Sequence, residues 1–79
     1  MSHVPHELIE EFPHMQEEIS LLKSQDAHFA RLFEEYHRVN RAIHRAETNV
    51  EPTDDFHMIQ MRKERMHLKD EIAACLALA

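Results

Sequence analysis

Glycine is absent from this chain of 79 residues, and proline occurs only three times, at Pro5, Pro13 and Pro52. The tight turns of β-hairpins need backbone with positive φ, which glycine adopts most readily. Phosphate-binding loops of nucleotide enzymes also depend on glycine. The composition therefore predicts helices and excludes the glycine-loop classes of nucleotide-binding protein.

Cysteine is nearly absent as well, because Cys75 stands alone. A single thiol excludes an intramolecular disulfide and a cysteine-rich zinc site. Domains of this size are usually stabilised by disulfides, by a metal or by oligomerisation, so oligomerisation is the remaining candidate. The apolar neighbours of Cys75 predict a packed thiol rather than a reactive one, and a free thiol suits a reducing compartment.

Long apolar runs and an excess of positive charge are also missing. No run is long enough to cross a membrane, and the first residues lack the cationic flank and apolar segment of a signal peptide. We therefore expect a cytoplasmic protein. The formal net charge of −6 repels phosphate backbones and anionic membranes, which makes nucleic acid an unfavoured partner.

Apolar side chains at helical spacing are what the sequence does contain. From position 29 they alternate at intervals of three and four, a heptad pattern that predicts a helix over about 27–47. Asp26, just before this pattern, is a good N-cap. The stripe consists of Phe29, Leu32, Tyr36, Val39, Ile43, Ala46 and Val50, with Phe33 beside it.

After this helix, the last part of the chain carries two apolar stripes. It predicts a helix over about 54–77, with Thr53 as its N-cap. The first stripe contains Met58, Met61, Arg65, Leu68, Ile72 and Cys75. The second contains Ile59, Met66, Ala73 and Leu76. One stripe can face the preceding helix and the other a partner molecule.

The first segment is shorter, with Leu8, Phe12, Met15, Ile19 and Leu22 on one helical stripe. Proline is tolerated in the first turn of a helix, so Pro13 predicts a helix over about 13–23 with a looser lead-in. The pattern leaves open whether this helix is separate or continues into the next one.

Together these patterns predict a single all-α domain over residues 1–79. The two long helices, joined by a loop of about six residues, should form a coiled-coil-like antiparallel hairpin. Such a hairpin cannot enclose a core, so we expect a homodimeric helical bundle. The residues expected in the core or the interface are Phe29, Leu32, Phe33, Tyr36, Val39, Ile43, Met58, Ile59, Met61, Met66, Leu68, Ile72, Cys75 and Leu76.

Eight histidines raise the alternative of a metal-binding protein. No two of them are four residues apart, and His37 and His44 are separated by about 10.5 Å along one helix, too far to bind one zinc ion. We therefore expect histidines on the surface, with no metal and no cofactor. Whether they make association pH-sensitive stays open.

A second alternative is a small regulatory protein that contacts RNA or DNA through a basic stripe at Arg31, Arg38 and Arg45. Acidic residues interleave on the same helix, which favours a solvated face with ion pairs over a nucleic-acid surface. Arg65 lies among apolar positions, and we expect it to meet Glu47 or Glu35, or to reach solvent, and to fix the helix register.

Catalytic machinery is not evident in the sequence. An active site needs a water-excluding pocket with convergent polar groups, which a helical hairpin does not provide, and no nucleophile with an adjacent base is recognisable. We therefore expect that the protein is not an enzyme.

Several blocks resemble the YdcH-like family of small bacterial proteins, and the resemblance extends over nearly the whole chain. They are 3–8 (HVPHEL), 11–13 (EFP), 33–37 (FEEYH), 40–45 (NRAIHR) and 68–72 (LKDEI). The resemblance implies a short helical hairpin of unknown function and supplies no catalytic residues. Its polar positions suggest a candidate partner surface at His37, Asn40, Lys69 and Asp70.

The function expected from all of this is that of a self-associating protein–protein interaction module. Its surface for another protein would be the apolar stripe of the first segment. Ion pairing between helices is the alternative explanation for Lys69 and Asp70.

Overall fold

The computed structural model describes residues 6–48 and 54–78. Within these ranges the chain forms four helices and no strand, which confirms the all-α class. The helices are α1 (Leu8–Glu11), α2 (Gln16–Gln25), α3 (Ala27–Glu47) and α4 (Asp55–Leu78). Val50 and Thr53, which the sequence places in the stripe and at a helix cap, lie outside the described residues.

Helices α3 and α4 form an antiparallel hairpin. Near the loop, Arg62 donates to Glu47 at 3.1 Å, and further along Arg65 donates to Asn40 at 3.0 Å. At the far end, Phe29 shares one core cluster with Ile72 and Leu76. Because the partner positions on α4 rise as those on α3 fall, the two helices run in opposite directions.

The predicted break at Asp26 is confirmed. Its backbone is extended, with φ −124° and ψ 108°, and its carboxylate accepts hydrogen bonds from the backbone N–H groups of His28 and Phe29 at 3.0 and 3.2 Å. These two N–H groups have no partner within the helix, so the cap stabilises the first turn of α3. The N-terminal segment, which contains α1 and α2, is therefore separate from the hairpin.

Pro13 does not begin a helix, contrary to the prediction. A residue before proline is disfavoured in the α region, and Phe12 accordingly has φ −130° and ψ 66° and closes the short α1. The chain then turns through Pro13 and His14, and α2 begins at Gln16. The prediction of a loose lead-in missed α1 because one helical turn leaves little trace in the sequence.

Asp54 contributes a cap at the start of α4, since its carboxylate accepts the backbone N–H of His57 at 2.7 Å. The helix itself begins at Asp55 and ends at Leu78.

The N-terminal segment covers one end of the hairpin. Leu8 and Ile19 are buried in the same core cluster as Phe29, Tyr36 and Ile72. The rest of its apolar stripe, which comprises Phe12, Met15 and Leu22, is partly buried against this cluster. The stripe that was expected to bind another protein is thus mostly used within the chain, and a single chain encloses a core with three of its segments.

Candidate interaction surface

One side of α4 carries exposed apolar side chains. Phe56 is 72% exposed, Ile59 48% and Met66 61%. Lys63 and Asp70 lie between and beyond them and are also exposed. We call this surface the outer α4 face; its members, spaced alternately by three and four residues, are Phe56, Ile59, Lys63, Met66, Asp70, Ala73 and Ala77.

The outer α4 face exists because α4 is apolar on two sides. Its inner side packs on α3 through partly buried Met61 and Leu68 and fully buried Ile72. The opposite side has no covering element among the described residues near the loop, since the N-terminal segment crosses the other end of the hairpin. Clustered apolar exposure of this kind marks interaction surfaces.

The structure places the residues expected in the core or the interface in three environments. The exposed ones are Ile59 and Met66. The buried ones are Phe29, Leu32, Tyr36, Val39, Ile43, Ile72 and Leu76. The partly buried ones are Phe33, Met58, Met61, Leu68 and Cys75. Leu76, which the sequence groups with Ile59 and Met66, instead joins the core at the covered end.

Arg65 finds a different partner from the one expected. Its Nη1 donates to Oδ1 of Asn40, and Asn40 is only 1% exposed. The two carboxylates proposed for it pair elsewhere: Glu47 with Arg62, and Glu35 with Arg38. The amide oxygen of Asn40, beside the apolar stripe of α3, satisfies one of the N–H donors of the guanidinium.

Asn40 therefore belongs to the hairpin interior rather than to a partner surface. The only sequence signal for this role is its position next to Val39 in the heptad pattern, where a single polar residue often fixes register.

His37, another member of the candidate partner surface, lies under the N-terminal segment. Its Nδ1 is 2.6 Å from Oε2 of Glu7, yet neither ring nitrogen has an aligned hydrogen bond. Burial lowers the pKa of His37 below its ordinary value of 6.5. The Glu7 carboxylate opposes this shift, while the charges of Arg41 and Lys23 add to it.

Further polar contacts hold the N-terminal segment on the hairpin. Tyr36 donates its hydroxyl hydrogen to the backbone carbonyl of His6 at 2.6 Å, and burial raises the pKa of Tyr36 to about 12. His6 has φ 64°, in the left-handed region that a chain without glycine must fill with another residue. We call the contacts of residues 6–12 with α3 and α4 the N-terminal clasp.

Glu11 provides the contact of the N-terminal clasp with α4. Its Oε1 lies 3.1 Å from His6 Nδ1 and 3.5 Å from Lys69 Nζ. Burial alone would raise the pKa of Glu11, but the hydrogen bond from His6 and the charge of Lys69 outweigh it and hold the pKa below its ordinary value of 4.5. Lys69 thus takes part in an ion pair within the chain, the alternative explanation noted from the sequence, while Asp70 faces solvent.

The arginine stripe on α3 is exposed but partly neutralised. Arg38 contacts Glu35 at 2.8 Å and Glu64 at 3.5 Å, and its hydrogen bond and charge hold the pKa of Glu35 below its usual range. Arg31 and Arg45 are exposed on the same helix. Carboxylates beside the central arginine weaken its attraction for phosphate, so this surface is less suited to nucleic acid than the spacing alone suggests.

A groove of about 510 Å³ lies between α3 and α4 near the loop. Val39, Ala42 and Met61 supply its apolar wall, and charged and polar side chains surround it, among them Arg38, Glu64 and His57.

No group of three His, Cys, Asp or Glu side chains within residues 6–48 and 54–78 is placed to hold a metal ion. In the same part of the chain, none of the helices combines the length and the apolarity that crossing a membrane requires.

Residues 29–76 match the model of a family described as a protein of unknown function, DUF465, and this range is more than half of the chain. The chain belongs to the DUF465 family. The family assignment agrees with the resemblance to YdcH-like proteins. The DUF465 match covers the α3–α4 hairpin and leaves out α1 and α2. No curated protein and no solved structure matches the chain significantly.

Proposed function

We propose that this DUF465 protein is a non-enzymatic helical module that associates with a second copy of itself through the outer α4 face. The observation that carries the proposal is the exposure of Phe56, Ile59 and Met66 on one side of a helix whose other side is already packed. The N-terminal segment covers the far end of the hairpin and leaves this side open.

The driving force for association is the removal of apolar surface from water. Full burial of a phenylalanine, isoleucine or methionine side chain contributes about 1.5–3 kcal/mol, and a symmetric dimer buries each of the three twice. Part of this gain is lost to the reduced translational and rotational freedom of the two chains. The net effect expected is a dimer of moderate affinity.

The hydroxyl groups of Ser24 and Thr48 bond to backbone carbonyls near helix ends, which supports a non-enzymatic role. Ser24 donates its Oγ–H to the carbonyl of Leu21 at 2.8 Å, and Thr48 donates to the carbonyl of His44 at 2.9 Å. These contacts are typical of residues at helix ends. His37 is largely buried and has the Glu7 carboxylate beside it, but this pair is part of the N-terminal clasp and therefore has a structural role.

The setting proposed for this function is the bacterial cytoplasm. The resemblance to small bacterial proteins and the single unpaired thiol of Cys75 support it.

The test compares charge insertion on the outer α4 face with the same change elsewhere. Met66→Asp places a carboxylate among apolar contacts of the proposed dimer and should shift the protein to monomer. Leu21→Asp is the matched control, since Leu21 is 55% exposed on α2, away from this face. Sedimentation equilibrium from about 1 μM to about 1 mM protein gives the association constants.

A dimer in the wild type and in Leu21→Asp, together with a monomer in Met66→Asp, is the expected result. Circular dichroism should show the same helix content in all three proteins, because Met66 and Leu21 are both exposed. A wild-type protein that stays monomeric over the whole concentration range contradicts the proposal.

A further inference from the structure

The outer α4 face is complementary in size and charge to the same face of a second copy that runs in the opposite direction. Its first half carries bulky Phe56 and Ile59, and its second half carries small Ala73 and Ala77. Met66 stands in the middle, with one cation before it and one anion after it. This distribution of size and charge specifies the orientation of a partner helix, provided that the proposed self-association through this face holds.

We infer that two copies pair their α4 helices antiparallel, with Met66 of each copy near the twofold axis and Lys63 of each copy beside Asp70 of the other. In a symmetric dimer the same patch serves both copies, so each contact occurs twice. The pairing of Lys63 with Asp70 therefore occurs twice in the dimer.

The distances along the helix support this register. At a rise of 1.5 Å per residue, Lys63 lies about 4.5 Å before Met66 and Asp70 about 6 Å after it. Ile59 and Ala73 are each about 10.5 Å from Met66, on opposite sides. When the second α4 runs in the opposite direction with its Met66 beside the first Met66, Lys63 lies within about 1.5 Å of Asp70 of the second copy, measured along the helix axis. In the same alignment, Ile59 lies opposite Ala73.

The same arithmetic holds at the ends of the face. Phe56 lies about 15 Å before Met66, and Ala77 about 16.5 Å after it. An aromatic ring opposite an alanine allows the two helices to approach closely, since large and small side chains alternate across the contact.

A parallel pairing of the same face is unfavourable. It places Lys63 against Lys63 and Asp70 against Asp70, and like charges across a helix contact repel each other. It also places Phe56 opposite Phe56 and Ala77 opposite Ala77, which leaves the contact crowded at one end and open at the other.

The two charged residues are well placed for contact between copies. On α4, the positions three and four residues from Lys63 carry no carboxylate, and those from Asp70 carry no lysine or arginine. Neighbours at this spacing are the ones that form ion pairs along a helix. A second copy supplies the opposite charge that α4 itself lacks at these positions.

The test exploits the reciprocity of the two pairs. Lys63→Asp sets carboxylate against carboxylate twice in its homodimer, and Asp70→Lys sets ammonium against ammonium twice. Each variant alone should raise the dimer dissociation constant about tenfold or more. Mixing the two variants restores both unlike pairs, so heterodimers should exceed both homodimers in native mass spectrometry, where the two chains differ in mass.

Matched controls separate these contacts from a general effect of net charge. Arg31→Asp on α3 and Glu18→Lys on α2 change the net charge by the same amounts at exposed positions off the face, and they should leave the dissociation constant unchanged. All four positions are exposed, so circular dichroism should report wild-type helix content.

A cross-linking measurement tests the direction of the helices independently of charge. With Cys75→Ser as background, Phe56→Cys chains mixed with Ala77→Cys chains should form a mixed disulfide dimer, whereas Phe56→Cys chains alone should not cross-link.

The failures of the two proposals are distinguishable. A wild-type monomer at every concentration overturns the self-association itself. A wild-type dimer whose charge variants also form homodimers with unchanged affinity, or show no preference for the heterodimer, overturns only the antiparallel register.

Discussion

The two ends of the α3–α4 hairpin have the same kind of sequence and different surroundings. At the end remote from the loop, Phe29, Ile72 and Leu76 are buried beneath the N-terminal segment. Near the loop, Phe56 and Ile59 are exposed on the outer α4 face, whereas Ile72 lies on the side of the same helix that packs on α3. The difference teaches that the helix pattern supplies apolar surface, and that contact with α3 or with the N-terminal segment decides which part of it becomes core.

The largest expected effect comes from truncating one phenylalanine in each region. Phe29→Ala removes a fully buried ring and should lower the free energy of unfolding by about 3–5 kcal/mol. Phe56→Ala removes an exposed ring and should change the stability of the monomer by less than about 0.5 kcal/mol. Urea unfolding at a dilute concentration, where the proposed dimer has dissociated, measures both.

Equal losses in the two variants would contradict the division into a covered and an open end. An effect of Phe56→Ala that appears only at high protein concentration would sharpen the comparison, because it would assign the ring to contact between copies.

A smaller effect is expected at the boundary between the two ends, where Asn40 meets Arg65. Asn40→Ala leaves the guanidinium partly buried without its amide acceptor and should lower the free energy of unfolding by about 1–3 kcal/mol. Arg38→Ala, which removes an exposed arginine from its pairs with Glu35 and Glu64, serves as the control and should produce no resolvable change. Thermal and urea unfolding of the two variants give the comparison.

A free energy of unfolding for Asn40→Ala equal to that of the wild type would contradict the assigned role of the Asn40–Arg65 hydrogen bond. In that case Arg65 reaches solvent and the amide has no part in setting the register.

The smallest effect concerns the N-terminal clasp, which produces the covered end. The pKa of His37 is lower in the folded chain than its ordinary value of 6.5. A depressed histidine contributes stability above that ordinary value, and this stability is lost as the pH falls through the folded pKa. Melting temperatures should therefore decrease between about pH 7 and about pH 5, and the decrease should be smaller in His37→Gln.

Glu11 provides an internal check on this interpretation, since its depressed carboxyl pKa contributes stability above its ordinary value of 4.5 and loses it only at lower pH. Its effect thus falls in a more acidic window than that of His37. A pH profile in which His37→Gln matches the wild type would remove His37 from the account of the N-terminal clasp.

The parts of the fold that the sequence predicts are those governed by local interactions. The heptad pattern predicts a helix over 27–47, the range that α3 occupies, and Asp26 was recognised as its cap because the cap bonds lie within three residues. Pro13 was misjudged, since its restriction on Phe12 ended one short helix instead of beginning the next. The partner of Arg65 was missed because a lone asparagine in a heptad gives a weak signal.

The candidate surface was predicted only in part. Ile59 and Met66 were expected in the core or the interface, without a decision on which stripe of α4 faces a partner, whereas Phe56 was overlooked, because it lies one turn before the stripe to which they were assigned. The apolar stripe of the first segment was expected to bind another protein, yet Leu8 and Ile19 are buried within the chain.

The sequence by itself determined the helical class, the cap at Asp26 and the antiparallel hairpin, because spacing, propensity and loop length act between residues that are close along the chain. Only the tertiary structure decided which apolar stripe became core, since that depends on where the N-terminal segment lies across α3 and α4. Burial is a property of three-dimensional neighbours, and α4 carries enough apolar residues for two sides while the described chain covers only one of them near the loop.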